Sequence, residues 1–221
     1  MKKACVLFSG GKDSALALYR ASKNFKIEYI LSIIPINKDS YMFHKPDLKL
    51  LKKQAQMLGI NLILGKTKGE KEKEMSDLKN LVLKIKDKID VIVIGGLASN
   101  YQCKKIEKLA RELGLEVYSP LWGYDAYKLW GELLDKGFEV IITKIACEGI
   151  PQEYLGKPID SVLLDDLKRL SRKYKFRLDF EGGEAETAVL NMPMFKKGIK
   201  INYTIVSEGE YRHFLNIKGV K

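Results

Sequence analysis

Ser9-Gly10-Gly11-Lys12-Asp13-Ser14 is the stretch on which the reading of this chain turns. Before it, Ala4-Cys5-Val6-Leu7-Phe8 is an apolar run of strand length. After it, Ser14-Ala15-Leu16-Ala17-Leu18-Tyr19-Arg20-Ala21 is rich in helix formers, with apolar residues spaced to face a sheet. The spacing predicts a strand, a glycine turn and a helix in succession. Two adjacent glycines let the backbone turn tightly and approach a ligand without obstruction by a Cβ. The first N–H groups of the helix point into that turn, and the helix dipole favours an anion there. Lys12 adds a positive charge, while Ser9 and Ser14 add hydroxyl donors. Such a turn is a phosphate cradle.

Outward from the turn, strands and helices alternate. Residues 29–36 read as a buried parallel strand, followed by a polar, aromatic loop at 37–44. A helix at 45–58 is stopped by Gly59, a short strand follows at 61–64, and 68–86 reads as one long charged helix. The strand at 90–94 ends in a second glycine pair, Gly95-Gly96, before a helix at 100–113 and a strand at 115–118. This rhythm predicts a parallel sheet with helices on both faces. Ligands of such sheets bind beyond the carboxyl ends of the strands, so the loops at 9–14, 37–44 and 95–102 are expected on one rim. From Leu121 the rhythm changes. A helix near 125–134, a strand at 138–146, a loop through Gly156-Lys157-Pro158, a helix at 160–173 and a closing hairpin from 198–207 and 211–217 predict a smaller α+β part. The expectation is a nucleotide-binding domain at 1–120 and a substrate-side domain at 121–221. Trp122 reads as packing between the two parts.

Composition narrows the class. Of 221 residues, 46% are hydrophobic and 30% charged, which are globular values. No apolar run approaches the roughly 18 residues of a membrane span, and Met1-Lys2-Lys3 leads straight into a strand, so neither a signal peptide nor a membrane segment is expected. Cys5, Cys103 and Cys147 are far apart and form no C-x-x-C pair, which argues against a zinc or iron–sulfur site and against a disulfide framework. A reducing cytoplasm suits them. The net charge of +11 is mostly lysine interleaved with glutamate, read as solvation first and attraction of a partner second. No basic stripe with interleaved aromatics appears, so no stable nucleic-acid complex is expected.

A second constellation lies at Glu181-Gly182-Gly183-Glu184-Ala185-Glu186-Thr187, with three carboxylates and two glycines in seven residues. Like charges at that density repel. Such a cluster suits Mg²⁺, an ammonium group or an amine nucleophile; a solvated acidic turn before a strand is the plainer alternative.

The motifs also carry a resemblance. Neither the Walker spacing nor the dinucleotide G-x-G-x-x-G is present, and S-G-G-K-D-S after the first strand resembles the PP-loop of the ATP pyrophosphatases, which cleave ATP between the α and β phosphates. Ser40-Tyr41-Met42-Phe43-His44, Gly96-Leu97-Ala98-Ser99-Asn100-Tyr101-Gln102, Pro120-Leu121-Trp122 and E-G-G-E-x-E-T follow in one order, and with the PP-loop they resemble the diphthine–ammonia ligase family over nearly the whole chain. Phe180 stands where that family carries a glycine, often preceded by cysteine, and Ala185 where it carries an aromatic residue. The chain is similar in length to compact archaeal members, without the C-terminal extensions of eukaryotic ones.

The resemblance implies a Rossmann-like fold of the adenine nucleotide alpha hydrolase type. It also implies ATP-dependent adenylation of the diphthine carboxylate on translation elongation factor 2, with ammonia then displacing AMP to give diphthamide. ATP and Mg²⁺ are the implied cofactors. Diphthine-bearing elongation factor 2 and ammonium are the implied partners, and a homodimer is compatible. Ser9, Gly10, Gly11, Lys12, Asp13, Ser14, His44, Gly95 and Gly96 are the candidates for nucleotide contact, with Asp13 for the metal. Lys12, Asp13, Glu184 and Glu186 are the catalytic candidates. Tyr101, Gln102, Glu181, Gly182, Gly183 and Thr187 are expected on the diphthine and ammonia side. The rival readings are a PP-loop tRNA-modifying enzyme of thiolase or lysidine type, a non-catalytic adenine-nucleotide module, and a ligase acting on a free carboxylate metabolite.

Overall fold

The computed structural model describes residues 1–35, 47–68, 73–96 and 100–221. Residue contacts divide it into two units, Met1–Ser9 with Asp13–Gly123, and Gly10–Lys12 with Tyr124–Lys221.

The first unit is a five-stranded parallel sheet in the order β3-β2-β1-β4-β5, formed by β1 (Lys3–Leu7), β2 (Lys26–Pro35), β3 (Asn61–Thr67), β4 (Val91–Val93) and β5 (Glu116–Tyr118). The connecting helices are α1 (Lys12–Ala21), α2 (Leu48–Leu58), α3 (Lys73–Leu83) and α4 (Asn100–Leu113). Right-handed crossovers running outward in opposite directions put α1 and α2 on one face and α3 and α4 on the other. Side-chain alternation agrees. Cys5, Leu31, Ile33 and Ile92 pack into one apolar cluster with Leu78, Leu81 and Val82 of α3 and Ile106, Leu109 and Leu113 of α4. Their neighbours Ala4, Val6 and Ile30 point the other way and are fully buried as well. A strand buried on both faces has to be apolar throughout, which is why the runs at β1, β2 and β4 are legible.

Strand order reverses between β1 and β4, whose following connections run to opposite edges of the sheet. An open α/β sheet binds its ligand at such a point, and both glycine turns of the sequence follow the strands that flank it.

Helix ends show where local signals hold. Asp47 caps α2, its Oδ1 accepting the N–H groups of Lys49 and Leu50 at 2.9 Å, and Gly59 closes it with φ 67°. The long helix expected at 68–86 is shorter. Within the described residues α3 ends at Leu83, and Lys84 and Ile85 bond back only three residues before a single 3-10 turn at Lys86–Lys88. The helix ends there although Ile85 just beyond it is buried in the same apolar cluster as Leu81 and Val82. Trp122 is 44% exposed.

The second unit holds an antiparallel sheet in the order β7-β6-β9-β8, from β6 (Glu139–Ala146), β7 (Ala185–Asn191), β8 (Ile201–Ser207) and β9 (Arg212–Val220). The last two strands are the expected hairpin. With them run α5 (Ala126–Asp135), capped by Asp125, and α6 (Ser161–Tyr174), capped by Asp160. Trp130, Leu129 and Leu133 of α5 and Leu167 of α6 are fully buried. No helix among the described residues is long and apolar enough to cross a membrane.

Candidate active site

Within the first unit, the end of β1 is locked before the turn begins. Phe8 N–H donates to the Leu31 carbonyl at 2.8 Å, and the buried Ser32 hydroxyl donates to the Phe8 carbonyl. Ser9 N–H then donates to Ser14 Oγ at 3.2 Å, and the two serine hydroxyls lie 3.1 Å apart. Asp13 and Ser14 occupy the first turn of α1, where amide N–H groups have no partner within the helix. Beside them passes the backbone of Gly95. A Cβ on Gly95 would lie 2.8 Å from Ser14 N and 2.9 Å from both the carbonyl carbon and oxygen of Asp13, whereas one on Gly96 would meet nothing within 4 Å. The backbone after β4 therefore meets the start of α1 at the switch point, and of the pair Gly95-Gly96 Gly95 is the one held there by crowding.

Within the second unit, Gly10–Lys12 lies against β7. Val189 N–H, on the outer edge of that edge strand, donates to the Gly10 carbonyl at 3.0 Å, and Lys12 N–H donates to Thr187 Oγ1 at 3.2 Å. Gly10 has φ 81°, which a side chain resists. Lys12 is 3% exposed. Its Nζ donates to the Asp179 carbonyl at 2.6 Å and sits 5.9 Å from the Trp130 ring centroid and 5.4 Å from that of Phe180. An ammonium over aromatic faces at that range is attracted by their quadrupoles. The positive charge expected at the mouth of the turn is thus seated among rings and a carbonyl.

The segment that seats it is itself tied down. Trp130 Nε1 donates to the Leu178 carbonyl at 2.9 Å. Arg177 donates through Nε to Asp179 Oδ1 at 2.9 Å and through Nη2 to Oδ2 at 2.7 Å, and Glu181 N–H donates to Oδ1 at 3.0 Å. Phe180 adopts φ 61°, a left-handed conformation costly for an aromatic residue. This is the position where the resemblance has a glycine. Here the ring is buried edge-on against Trp130 at 6.0 Å, and that packing offsets the strain.

The acidic cluster does not behave as one group. β7 begins at Ala185, so Glu186 and Thr187 lie on a strand. Glu186 pairs across the ladder with Lys144, Oε1 to Nζ 2.8 Å. Glu184 Oε1 accepts Arg177 N–H at 3.0 Å, while its Oε2 is buried and accepts no hydrogen bond. Gly182 and Gly183 are exposed, and Glu181 is half-buried. Burial and then the charge of Glu184 push the Cys147 thiol up to about 11, and burial pushes Cys5 up to about 12. Thiols raised this far are protonated at neutral pH and are poor nucleophiles.

Three other predicted site residues are Tyr101, Gln102 and His44. Tyr101 and Gln102 belong to the first turn of α4, which follows β4, and the structure describes their backbone alone. His44 lies outside the described residues. Sequence reasoning passed over Arg177, Asp179, Trp130 and Lys144. The only local signal was Arg177-x-Asp179 beside the glycines, and no periodicity marks it.

Asp179 supplies a pH test. Burial pushes its carboxyl up, but the Arg177 fork and the Glu181 N–H more than offset this and hold it below its ordinary 3.8. A depressed acid contributes stability that is complete above the unfolded value and lost as pH falls through the folded one. Melting temperatures of the wild type and Asp179→Asn are expected to converge as pH falls from about 5 to about 2. A constant gap across that window would remove the carboxylate from the acid limb.

Residues 1–117 match the family model "Diphthamide synthase N-terminal domain", and residues 125–221 match "Diphthamide synthase C-terminal domain". The chain is similar to the diphthine–ammonia ligase of Danio rerio, 30% identical over 219 residues that cover 90% of this chain and 86% of that one. It is 28% identical to that of Bos taurus over 223 residues, covering 90% and 83%. With that of Schizosaccharomyces pombe it shares 30% identity over 217 residues, covering 89% of this chain and 36% of the longer fungal protein.

Proposed function

Because the chain belongs to the diphthamide synthase family, we propose that it is an ATP-dependent ligase that converts diphthine on translation elongation factor 2 to diphthamide with ammonia. The observation that carries the reading is the Gly10–Lys12 turn at the start of α1, backed by β7 of the unit that bears the acidic cluster. In that reaction ATP adenylates the diphthine carboxylate with release of pyrophosphate, and ammonia displaces AMP to form the amide.

The residues present suit a nucleotide. Ser9 and Ser14 bring two hydroxyls to 3.1 Å of each other at the N-terminus of a ten-residue helix, and Gly95 keeps the facing backbone close. In this reading the first-turn N–H groups and the two hydroxyls hold the phosphates, and Gly10 and Gly11 let the backbone approach them. Lys12, seated by Asp179, fixes positive charge beside the turn before any reaction, and such preorganised charge is where most phosphoryl-transfer catalysis comes from. Magnesium would arrive with the phosphates and take Asp13 as its carboxylate, the usual economy of a Mg–nucleotide site, where it stabilises charge on the leaving pyrophosphate. Among the described residues no group of three His, Cys, Asp or Glu forms a cage of its own.

On the acceptor side, Glu184 Oε2 is a buried oxygen without a donor, and an ammonium or an attacking amine is the complement it suits. Glu181, Gly182, Gly183 and Thr187 line the same segment in this reading, Glu186 is oriented by Lys144, and Tyr101 and Gln102 are offered by the α4 end. A cytoplasmic site of action follows from the elongation-factor substrate. The tRNA-modifying and non-catalytic readings gain nothing from the three relatives described above, each named a diphthine–ammonia ligase.

The test is direct. ATP, ammonium and diphthine-bearing elongation factor 2 are incubated with the protein, and mass spectrometry follows the factor while the nucleotide products are separated. AMP and an amidated factor are expected; ADP with orthophosphate would overturn the reading. In the same assay, Glu184→Gln keeps an acceptor for Arg177 N–H but removes the charge. It is expected to raise the ammonium KM about tenfold with the ATP KM nearly unchanged. Equal changes in both would take Glu184 off the acceptor side.

A further inference from the structure

We propose that Arg177 and Asp179 are positioning residues for the nucleotide step: together they fix the carbonyl that seats Lys12, and so set the phosphate turn. This rests on the reading of Gly10–Lys12 as an ATP site. Asp179 is engaged at both ends. Its carboxylate accepts the two-pronged contact from Arg177 and the Glu181 N–H, while its own carbonyl accepts Lys12 Nζ at 2.6 Å. The main chain around it is held independently, Arg177 N–H by Glu184 and the Leu178 carbonyl by the Trp130 indole. Residues 177, 178, 179 and 181 are thus each tied, and the left-handed Phe180 between them closes the bend.

Stability is a poor explanation for this arrangement. The Arg177 side chain is 52% exposed, and an ion pair with one partner in solvent contributes little to folding. What the fork does supply is direction. A planar guanidinium gripping a carboxylate at two points fixes orientation as a single contact cannot. The Asp179 carbonyl is on the same residue, so its aim at Lys12 is fixed too. Misplacing a catalytic cation by an ångström can cost about a hundredfold in rate. Neither Arg177 nor Asp179 donates to the phosphates in this scheme; both act through Lys12.

The experiment uses the full chain and ATP as the probe, without acceptor. Equilibrium dialysis measures ATP affinity for the wild type, Arg177→Met, Arg177→Lys and Asp179→Asn, with melting curves alongside; ATP and ammonium KM values follow in the complete assay. Arg177→Met is expected to weaken ATP binding about tenfold, to leave the ammonium KM within about twofold, and to melt close to the wild type. Arg177→Lys, which keeps the charge but not the fork, is expected to recover less than half of that loss on a logarithmic scale. Asp179→Asn keeps the seating carbonyl and stands in should Arg177→Met fail to fold, with an expected loss of about threefold or more. ATP affinity within about twofold of wild type in the folded variants would overturn the proposal, as would full rescue by lysine or parallel losses in ATP and ammonium kinetics with a collapsed melting temperature. A wild type that binds no ATP would instead overturn the functional reading on which this one rests.

Discussion

Lys12→Met is expected to lower kcat/KM for ATP by about 10²–10³-fold, the usual cost of deleting one preorganised donor to developing charge. Methionine is similar in length and apolar, so it can lie in the same aromatic seat between Trp130 and Phe180. What disappears is the cation and the donor to the Asp179 carbonyl. Loss of that donor is expected to cost about 1–2 kcal/mol of stability. The two effects separate cleanly, one very large in AMP formation and one modest in a melting curve. A fall of less than about tenfold in kcat/KM, with the stability loss present, would mean that the ammonium closes the turn and does nothing more.

Gly95→Ala is expected to weaken ATP binding by about thirtyfold or more and to destabilise the protein by about 1–3 kcal/mol. The methyl group would lie 2.8–2.9 Å from the Asp13 and Ser14 backbone, and no side chain there can swing aside. Either the end of β4 or the start of α1 has to move, and α1 is the helix whose first N–H groups hold the phosphates in the proposed site. Gly131→Ala is the matched control. Its Cβ would meet nothing within 4 Å in the interior of α5, so ATP binding should persist and helix propensity should raise stability slightly. Calorimetric titration with ATP beside thermal melts distinguishes the two. Unchanged ATP affinity in Gly95→Ala would place the nucleotide elsewhere.

Local patterns carried the first unit well because its chemistry is local. A strand buried on both faces must be a continuous apolar run, and a helix stop such as Gly59 needs only its own φ. The strand order that creates the switch point was not legible in those runs. The closing hairpin was legible from its turn, Glu208-Gly209-Glu210, where Gly209 takes φ 94°. Charge-rich periodicity misled at α3, where helix-forming residues run on beyond the apolar anchors Leu81 and Val82. The seat of Lys12 could not be read at all. It joins residues 167 positions apart, and a buried ammonium has the same letter as an exposed one. The acidic cluster was visible as a composition, but its division was not. That depends on the ladder register that sets Lys144 opposite Glu186 and on a turn that delivers Arg177 N–H to Glu184.

Residues 10–12 leave the ribosome well before Asp179 and Thr187, which lie 167 and 175 positions after Lys12, and before Val189, all of which they rest against. A nascent chain can therefore form its opening strand and helix early, as N-terminal segments do. The turn between them waits, unbacked, until those partners have emerged. Any product released before residue 189 would display the phosphate motif without the edge strand that shapes it. In the proposed reading, nucleotide capture is thereby reserved for chains synthesised past residue 189.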